Sequence, residues 1–139
     1  MCCFRISLLC LLMIITIVSA TNILSSGGSL YNEDMMVSEN NRYFLRFEKS
    51  GDLVLYDKKD MKHKVWSTET ADSDSKLVYM QPDGNLVLYK EGGKAMWHTD
   101  TTGYYNRGDY LKLENDGTLT VRHEDTNNII WSSKFGKTN

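Results

Sequence analysis

Beyond residue 20 the sequence has no cysteine; its three, Cys2, Cys3 and Cys10, all fall within the first ten of 139 residues. Downstream of that segment, disulfides, thiol nucleophiles and cysteine-ligated metals are excluded, and packing alone must hold the fold. Proline occurs once, at Pro82, and the formal net charge is −2. So little proline, with charges of both signs, argues against a disordered or collagen-like chain. Near-neutrality also removes the basic footprint of a nucleic-acid binder. There is no Asn-x-Ser/Thr acceptor, so N-glycosylation is not expected. His63, His98 and His123 stand alone, without partners at metal-ligand spacing, and no metal or other cofactor is expected. After residue 20 no apolar run is long enough to cross a bilayer.

The first twenty residues are unlike the rest. Arg5 is their single charge, Ile6–Val18 is a nearly unbroken apolar run of 13 residues, and the segment ends Val18-Ser19-Ala20. A basic start, a short apolar stretch and a small terminal residue describe a secretory signal peptide cut after Ala20. The run is shorter than the ~20 apolar residues that a membrane span prefers. The expected product is chain 21–139, one domain, secreted and extracellular, free of the membrane, with 15 basic and 18 acidic residues.

That product is a triplication. Glu48-Lys-Ser-Gly-Asp-Leu-Val-Leu-Tyr56, Gln81-Pro-Asp-Gly-Asn-Leu-Val-Leu-Tyr89 and Glu114-Asn-Asp-Gly-Thr-Leu-Thr-Val-Arg122 align, with Gly51, Gly84 and Gly117 spaced 33 residues apart. Each glycine is followed 13 to 15 residues later by a tryptophan, at Trp66, Trp97 and Trp131. Two independent landmarks at one period define a repeat.

Each unit reads as β. Tyr43–Glu48, Leu77–Gln81 and Tyr110–Glu114 precede the glycines, and Asp52–Asp57, Asn85–Lys90 and Thr118–His123 follow them. These short runs of Leu, Val, Tyr and Phe flank turn residues, so a hairpin is expected at the same place in every unit. The tryptophan segments add a further strand each, and no window has helical periodicity. Alternation turns Leu53/Leu55, Leu86/Leu88 and Leu119/Val121 inward. Three sheets around a shared axis, with the tryptophans between them, satisfy this pattern; a β-trefoil is the competing architecture, though its units are longer. Leu, Ile, Val and Phe supply only 23 residues of 21–139, so Trp and Tyr are expected to build much of the core.

Gln81-x-Asp83-x-Asn85-x-Val87-x-Tyr89 carries the chemistry. Its odd-numbered side chains share the outward face of one hairpin. A carboxylate, two amides and a phenol provide the donors and acceptors that adjacent sugar hydroxyls require, and Val87 offers an apolar floor. These five positions match the mannose-binding signature of the bulb-type (monocot) mannose-binding lectins. Asn22-Ile23-Leu24, Ser26-Gly27 and the three tryptophan segments also resemble that family, so the likeness covers essentially all of 21–139.

The resemblance implies a β-prism II fold, three four-stranded sheets with pseudo-threefold symmetry. It implies mannose-containing glycans as partners, no metal requirement, and homodimers formed by exchange of the C-terminal strand. On this likeness Asp83 and Asn85 would hold the axial C2 hydroxyl, Gln81 the C3 hydroxyl and Tyr89 the C4 hydroxyl. Many members tie the first two units by a disulfide; the aligned repeats place Gly51 and Lys76 at those cysteine positions.

The other copies depart from the signature. Glu48, Ser50, Asp52, Val54 and Tyr56 keep oxygen acceptors but lose both amide donors, and their two carboxylates are expected to repel, leaving at best a weak second site. Glu114, Asp116, Thr118, Thr120 and Arg122 lose the Asn, Val and Tyr, which argues against a mannose site, although Arg122 would suit an anionic ligand. Lys58-Lys59 and Lys62-His63-Lys64 read as a solvated loop, and Tyr104 and Tyr105 as loop residues able to widen a sugar groove. The leading expectation is a secreted, non-catalytic mannose-binding protein acting in recognition or defence. The alternative is an extracellular interaction module on the same fold with weak or lost sugar binding. A glycosidase needs two carboxyls flanking the scissile bond, whereas the intact motif holds only Asp83.

Overall fold

Residues 21–37 form three very short strands, β1 (Ile23–Leu24), β2 (Ser29–Tyr31) and β3 (Met35–Val37), none of which pairs with another. This is a computed structural model describing residues 21–103 and 108–138; residues 1–20, with the expected signal peptide, and Tyr104 and Tyr105 lie outside the described residues. The first repeat then forms β4 (Tyr43–Phe47), β5 (Leu53–Asp57) and β6 (Asp60–Ser67). The second forms β7 (Ser75–Met80), β8 (Leu86–Lys90) and β9 (Ala95–His98), and the third β10 (Tyr110–Leu113), β11 (Leu119–Arg122) and β12 (Ile129–Ser132). β13 (Gly136–Lys137) follows.

Every repeat is an antiparallel meander, and each takes its fourth strand from the N-terminal segment. The sheets run β3-β4-β5-β6, β2-β7-β8-β9 and β1-β10-β11-β12-β13. The expected prism is there with one amendment: the third sheet has five strands, because β13 folds back on β12 and pairs Lys137 with Trp131.

The three hairpin tips are copies. Gly51, Gly84 and Gly117 donate their N–H to the carbonyls of Glu48, Gln81 and Glu114 at 2.9, 3.0 and 3.1 Å, and each adopts a left-handed φ of +80 to +92°. A side chain there would also collide with the neighbouring unit. A Cβ on Gly51 would lie 2.8 Å from the Ser75 nitrogen, on Gly84 2.3 Å from Asp109 Oδ2, and on Gly117 2.6 Å from the Tyr43 ring. The tips thus pack first unit on second, second on third and third on first. At the first tip Gly51 faces Ser75, a bulge lies between Ser75 and Leu77, and Lys76 pairs with Asp74.

The inward pairs behave as alternation predicts: Leu53, Leu55, Leu86, Leu88, Leu119 and Val121 are all fully buried. Trp66, Trp97 and Trp131 meet edge to face around the central axis, with ring centroids 5.7 to 5.8 Å apart. The tyrosines differ from expectation, since among the described ones only Tyr43 joins the core. Leu24, Leu30 and Met36 take that place, one from each N-terminal strand at six-residue spacing, with Met80 beside them.

Candidate functional site

β7, its tip and β8 bring the second motif together on one outer face. Tyr89 Oη donates to Gln81 Oε1, and Gln81 Nε2 donates to both Asp83 oxygens at 3.1 and 3.2 Å. Asp83 Oδ1 also accepts the Asn85 N–H at 3.0 Å, closing a turn that points the carboxylate at its neighbours. Asn85 is fixed from behind, its Oδ1 accepting from Thr99 Oγ1 at 3.1 Å and from the Thr101 N–H at 3.2 Å. With the oxygen engaged, Nδ2 is left as an outward donor. Gln81, Asp83, Asn85 and Tyr89 are half-buried, so the four polar groups form one connected, accessible array. Val87 is only 2% exposed. It supports the array from beneath instead of offering the apolar floor that the sequence suggested.

The first copy retains this frame with different charges. Tyr56 Oη donates to Glu48 Oε1 as Tyr89 does to Gln81. Asp52 takes the place of Asn85, its Oδ1 accepting from Thr68 Oγ1 at 2.9 Å and the Thr70 N–H at 3.1 Å. Its Oδ2 is bound by Lys64 Nζ at 3.0 Å. The expected repulsion between two bare carboxylates is therefore absent. Burial alone would raise the Asp52 pKa, but the Thr70 N–H, Lys64 and Thr68 together outweigh it and hold the carboxyl below its usual range. The Tyr56 phenol is pushed up to about 12, first because Glu48 accepts its proton and second by burial. Ser50 replaces Asp83 and receives only a long 3.4 Å contact from the Asp52 N–H, and Val54 is fully buried.

The third copy closes on itself. Arg122 Nε donates to Glu114 Oε1 at 2.8 Å and Nη1 to the Asn127 carbonyl at 2.8 Å, while Thr120 Oγ1 donates to the same Glu114 oxygen. The guanidinium expected to serve an anionic ligand is thus engaged through Nε by Glu114 and through Nη1 by Asn127. Asp116 Oδ1 accepts the Thr118 N–H at 2.9 Å. A depression of about 410 Å³ lies here, with Ile129 and Phe135, itself 77% exposed, among its lining residues. The connected polar array of Tyr89, Gln81, Asp83 and Asn85 is on the second face.

Sequence reasoning missed the supporting residues. Thr68 and Thr70, and Thr99 and Thr101, brace the motif from the strand ends after the tryptophans, and Thr68 and Thr99 also accept the Leu53 and Leu86 N–H groups at 3.1 Å. The signal was present as Trp66-x-Thr-x-Thr70 and Trp97-x-Thr-x-Thr101; the third unit reads Trp131-x-Ser-x-Phe135. Lys64, taken for a loop cation, belongs to the first copy. Among the described residues no group of three or more His, Cys, Asp or Glu is placed to hold a metal ion.

No protein-family model matches the chain. It is 34% identical over 120 residues to the B-type lectin plumieribetin of Scorpaena plumieri, covering 84% of this chain and 97% of that one. Its fold is similar to that of monomeric monocot mannose-binding lectins from Gastrodia elata, with a TM-score of 0.72 and 31% identity over 84% of this chain and 99% of that one. It is also similar to the mannose-specific agglutinin of snowdrop (Galanthus nivalis) in complex with methyl α-D-mannoside, with a TM-score of 0.66 and 28% identity over 75% of this chain and 91% of that one. With that identity over nearly the whole relative, and the same three-sheet prism, the chain belongs to the bulb-type, or B-type, lectin family.

Proposed function

We propose that the protein is secreted and binds α-D-mannose and high-mannose glycans through Gln81, Asp83, Asn85 and Tyr89, with Val87 beneath them, serving recognition or defence. Family members are non-catalytic carbohydrate-binding proteins, and the chain is accordingly a lectin and not an enzyme. The observation that carries the mannose reading is the Tyr89–Gln81–Asp83–Asn85 array, with the Asn85 oxygen locked by Thr99 and Thr101. Locking fixes which end of the amide donates, so a ligand must offer an acceptor at Asn85 Nδ2 and a donor at Asp83. Adjacent hydroxyls do this, and a sugar with the wrong hydroxyl orientation leaves those groups badly paired.

A few hydrogen bonds at ~0.5–1.5 kcal/mol net each give a single shallow site a roughly millimolar affinity. Useful avidity then requires several sites on one particle. Dimerisation by exchange of the C-terminal strand would supply them: a second copy's β13 can offer β12 the same pairing that Gly136–Lys137 now makes. Light scattering on chain 21–139 tests this, and a mass spectrum of the secreted protein beginning at Thr21 tests the cleavage.

The deciding experiment is an amide NMR titration of chain 21–139 with methyl α-mannoside. Shifts at Gln81–Tyr89 that saturate in the millimolar range are expected. None at about tens of millimolar sugar would overturn the mannose reading and favour an interaction module.

A further inference from the structure

One position outside the motif differs sharply among the three copies. The residue across the sheet from the fifth motif position is Lys64 opposite Tyr56, Ala95 opposite Tyr89 and Ile129 opposite Arg122. Each of these pairings sits at a β-bulge, which re-aims a side chain; in the first copy the bond from Lys64 Nζ to Asp52 Oδ2 brings the residue to the motif. In the second copy it is a methyl group, which leaves the array open. In the third it is an apolar wall of the depression. In the first it is a cation.

We propose that Lys64 completes a second saccharide site on the first copy, one that grips adjacent hydroxyls of a neutral sugar between the Lys64 ammonium and the Glu48 carboxylate. The inference rests on the lectin reading and assigns a donor that the motif itself lacks. Asp52 and Asn85 are held identically by one oxygen, each by its own threonine pair. The other limb is Nδ2 in Asn85, a donor. In Asp52 it is Oδ2, an acceptor, and Lys64 Nζ sits 3.0 Å from it. The ammonium therefore reverses the polarity of that limb and restores N–H donors at the site.

Exposure assigns the parts. With Lys64 bonded to it, Asp52 is 1% exposed and the ligand meets the lysine first, whose side chain is 46% exposed. Asp52 is thus the buried counter-charge that positions Lys64, and the lysine presents its remaining protons outward. On the other side, Glu48 Oε1 accepts from Tyr56, and Oε2 has no hydrogen-bond partner among the described residues. Each sugar hydroxyl both donates and accepts, so neighbouring hydroxyls match a cationic donor beside an anionic acceptor, and ionised partners make the stronger bonds.

The test compares chain 21–139, Lys64→Ala and Asp52→Asn/Lys64→Ala in amide NMR titrations with methyl α-mannoside. The unaltered chain should shift at Glu48–Tyr56 and at the Lys64 ammonium as well as at Gln81–Tyr89. Lys64→Ala should weaken the first-copy response about tenfold or more, as losing a charged hydrogen bond does, with the second copy unchanged within about twofold. The double variant recreates the Asn85/Ala95 arrangement without stranding a buried carboxylate, and first-copy shifts should return. First-copy shifts that survive Lys64→Ala, or that are absent while the second copy titrates, overturn the proposal. So does a loss that the double variant fails to restore, since the lysine would then act on folding alone. Silence from both copies overturns the mannose reading instead.

Discussion

Asn85 and Asp52 occupy equivalent positions in two copies and differ by an amide nitrogen against an oxygen, yet each is held by its own pair of threonines. Thr99 is the sharper test, because its Oγ1 both donates to Asn85 Oδ1 and accepts the buried Leu86 N–H. Thr99→Val keeps the shape and removes both bonds. It should cost about 1–3 kcal/mol of stability, the penalty for stranding a buried donor, measured by urea unfolding. Mannoside affinity at Gln81–Tyr89 should also fall, because the Asn85 amide then keeps only the Thr101 N–H to orient it. In the first copy the Tyr56 phenol titrates at about 12, against an ordinary 10.0. A pKa raised on folding means that the bond to Glu48 stabilises the fold fully below pH 10.0 and is lost as pH rises toward 12. Ultraviolet titration of tyrosinate should find this late-ionising phenol, and Glu48→Gln should return it toward the ordinary value. The five motif positions were legible in the sequence because they lie on one hairpin at period two. Lys64 and the threonine braces were not, since they reach the site from a different strand and only the β5–β6 and β8–β9 registers bring them there.

The hairpin tip is the element on which both fold and site depend. Its turn residues and left-handed glycine were readable from composition, but the second demand on that glycine is tertiary. At Gly117 a Cβ would meet three atoms of the Tyr43 ring at 2.6 to 2.9 Å, whereas at Gly92, with a similar φ of +88°, nothing lies within 4 Å. Gly117→Ala should therefore cost about 2–5 kcal/mol, left-handed strain plus overpacking. Gly92→Ala should cost only the strain, about 1–2 kcal/mol. Paired thermal melts check this, and equal losses would mean that the tip does not clamp one unit to the next. Strands β1 to β3 were illegible for a different reason. At two or three residues each they are too short to show alternation, and their period is six: Asn22, Gly28 and Asp34 each offer a carbonyl to the N–H of Leu113, Met80 and Phe47 at 2.8 to 3.0 Å.

At the scale of the whole molecule, those N-terminal strands decide whether three repeats make one protein. The tryptophan trio joins the sheets at the axis, with edge-to-face pairs worth about 0.5–1.5 kcal/mol each beyond area burial. The N-terminal segment joins them from outside, adding an edge strand and one buried side chain to each. Burying Leu24, Leu30 and Met36 contributes roughly 5–9 kcal/mol at about 1.5–3 kcal/mol each. That is comparable to the ~5–15 kcal/mol net stability of an ordinary domain. Chain 38–139 keeps all three repeats, every motif residue and the tryptophan trio, so a fold held by the repeats alone would survive this truncation. The energetics say otherwise: chain 38–139 should lack dispersed amide NMR signals and native tryptophan fluorescence, and should regain both when peptide 21–37 is added. A truncated chain that is folded and cooperative by itself would show instead that the hairpin clamps and the tryptophans suffice, leaving the N-terminal strands only to cover the sheet edges.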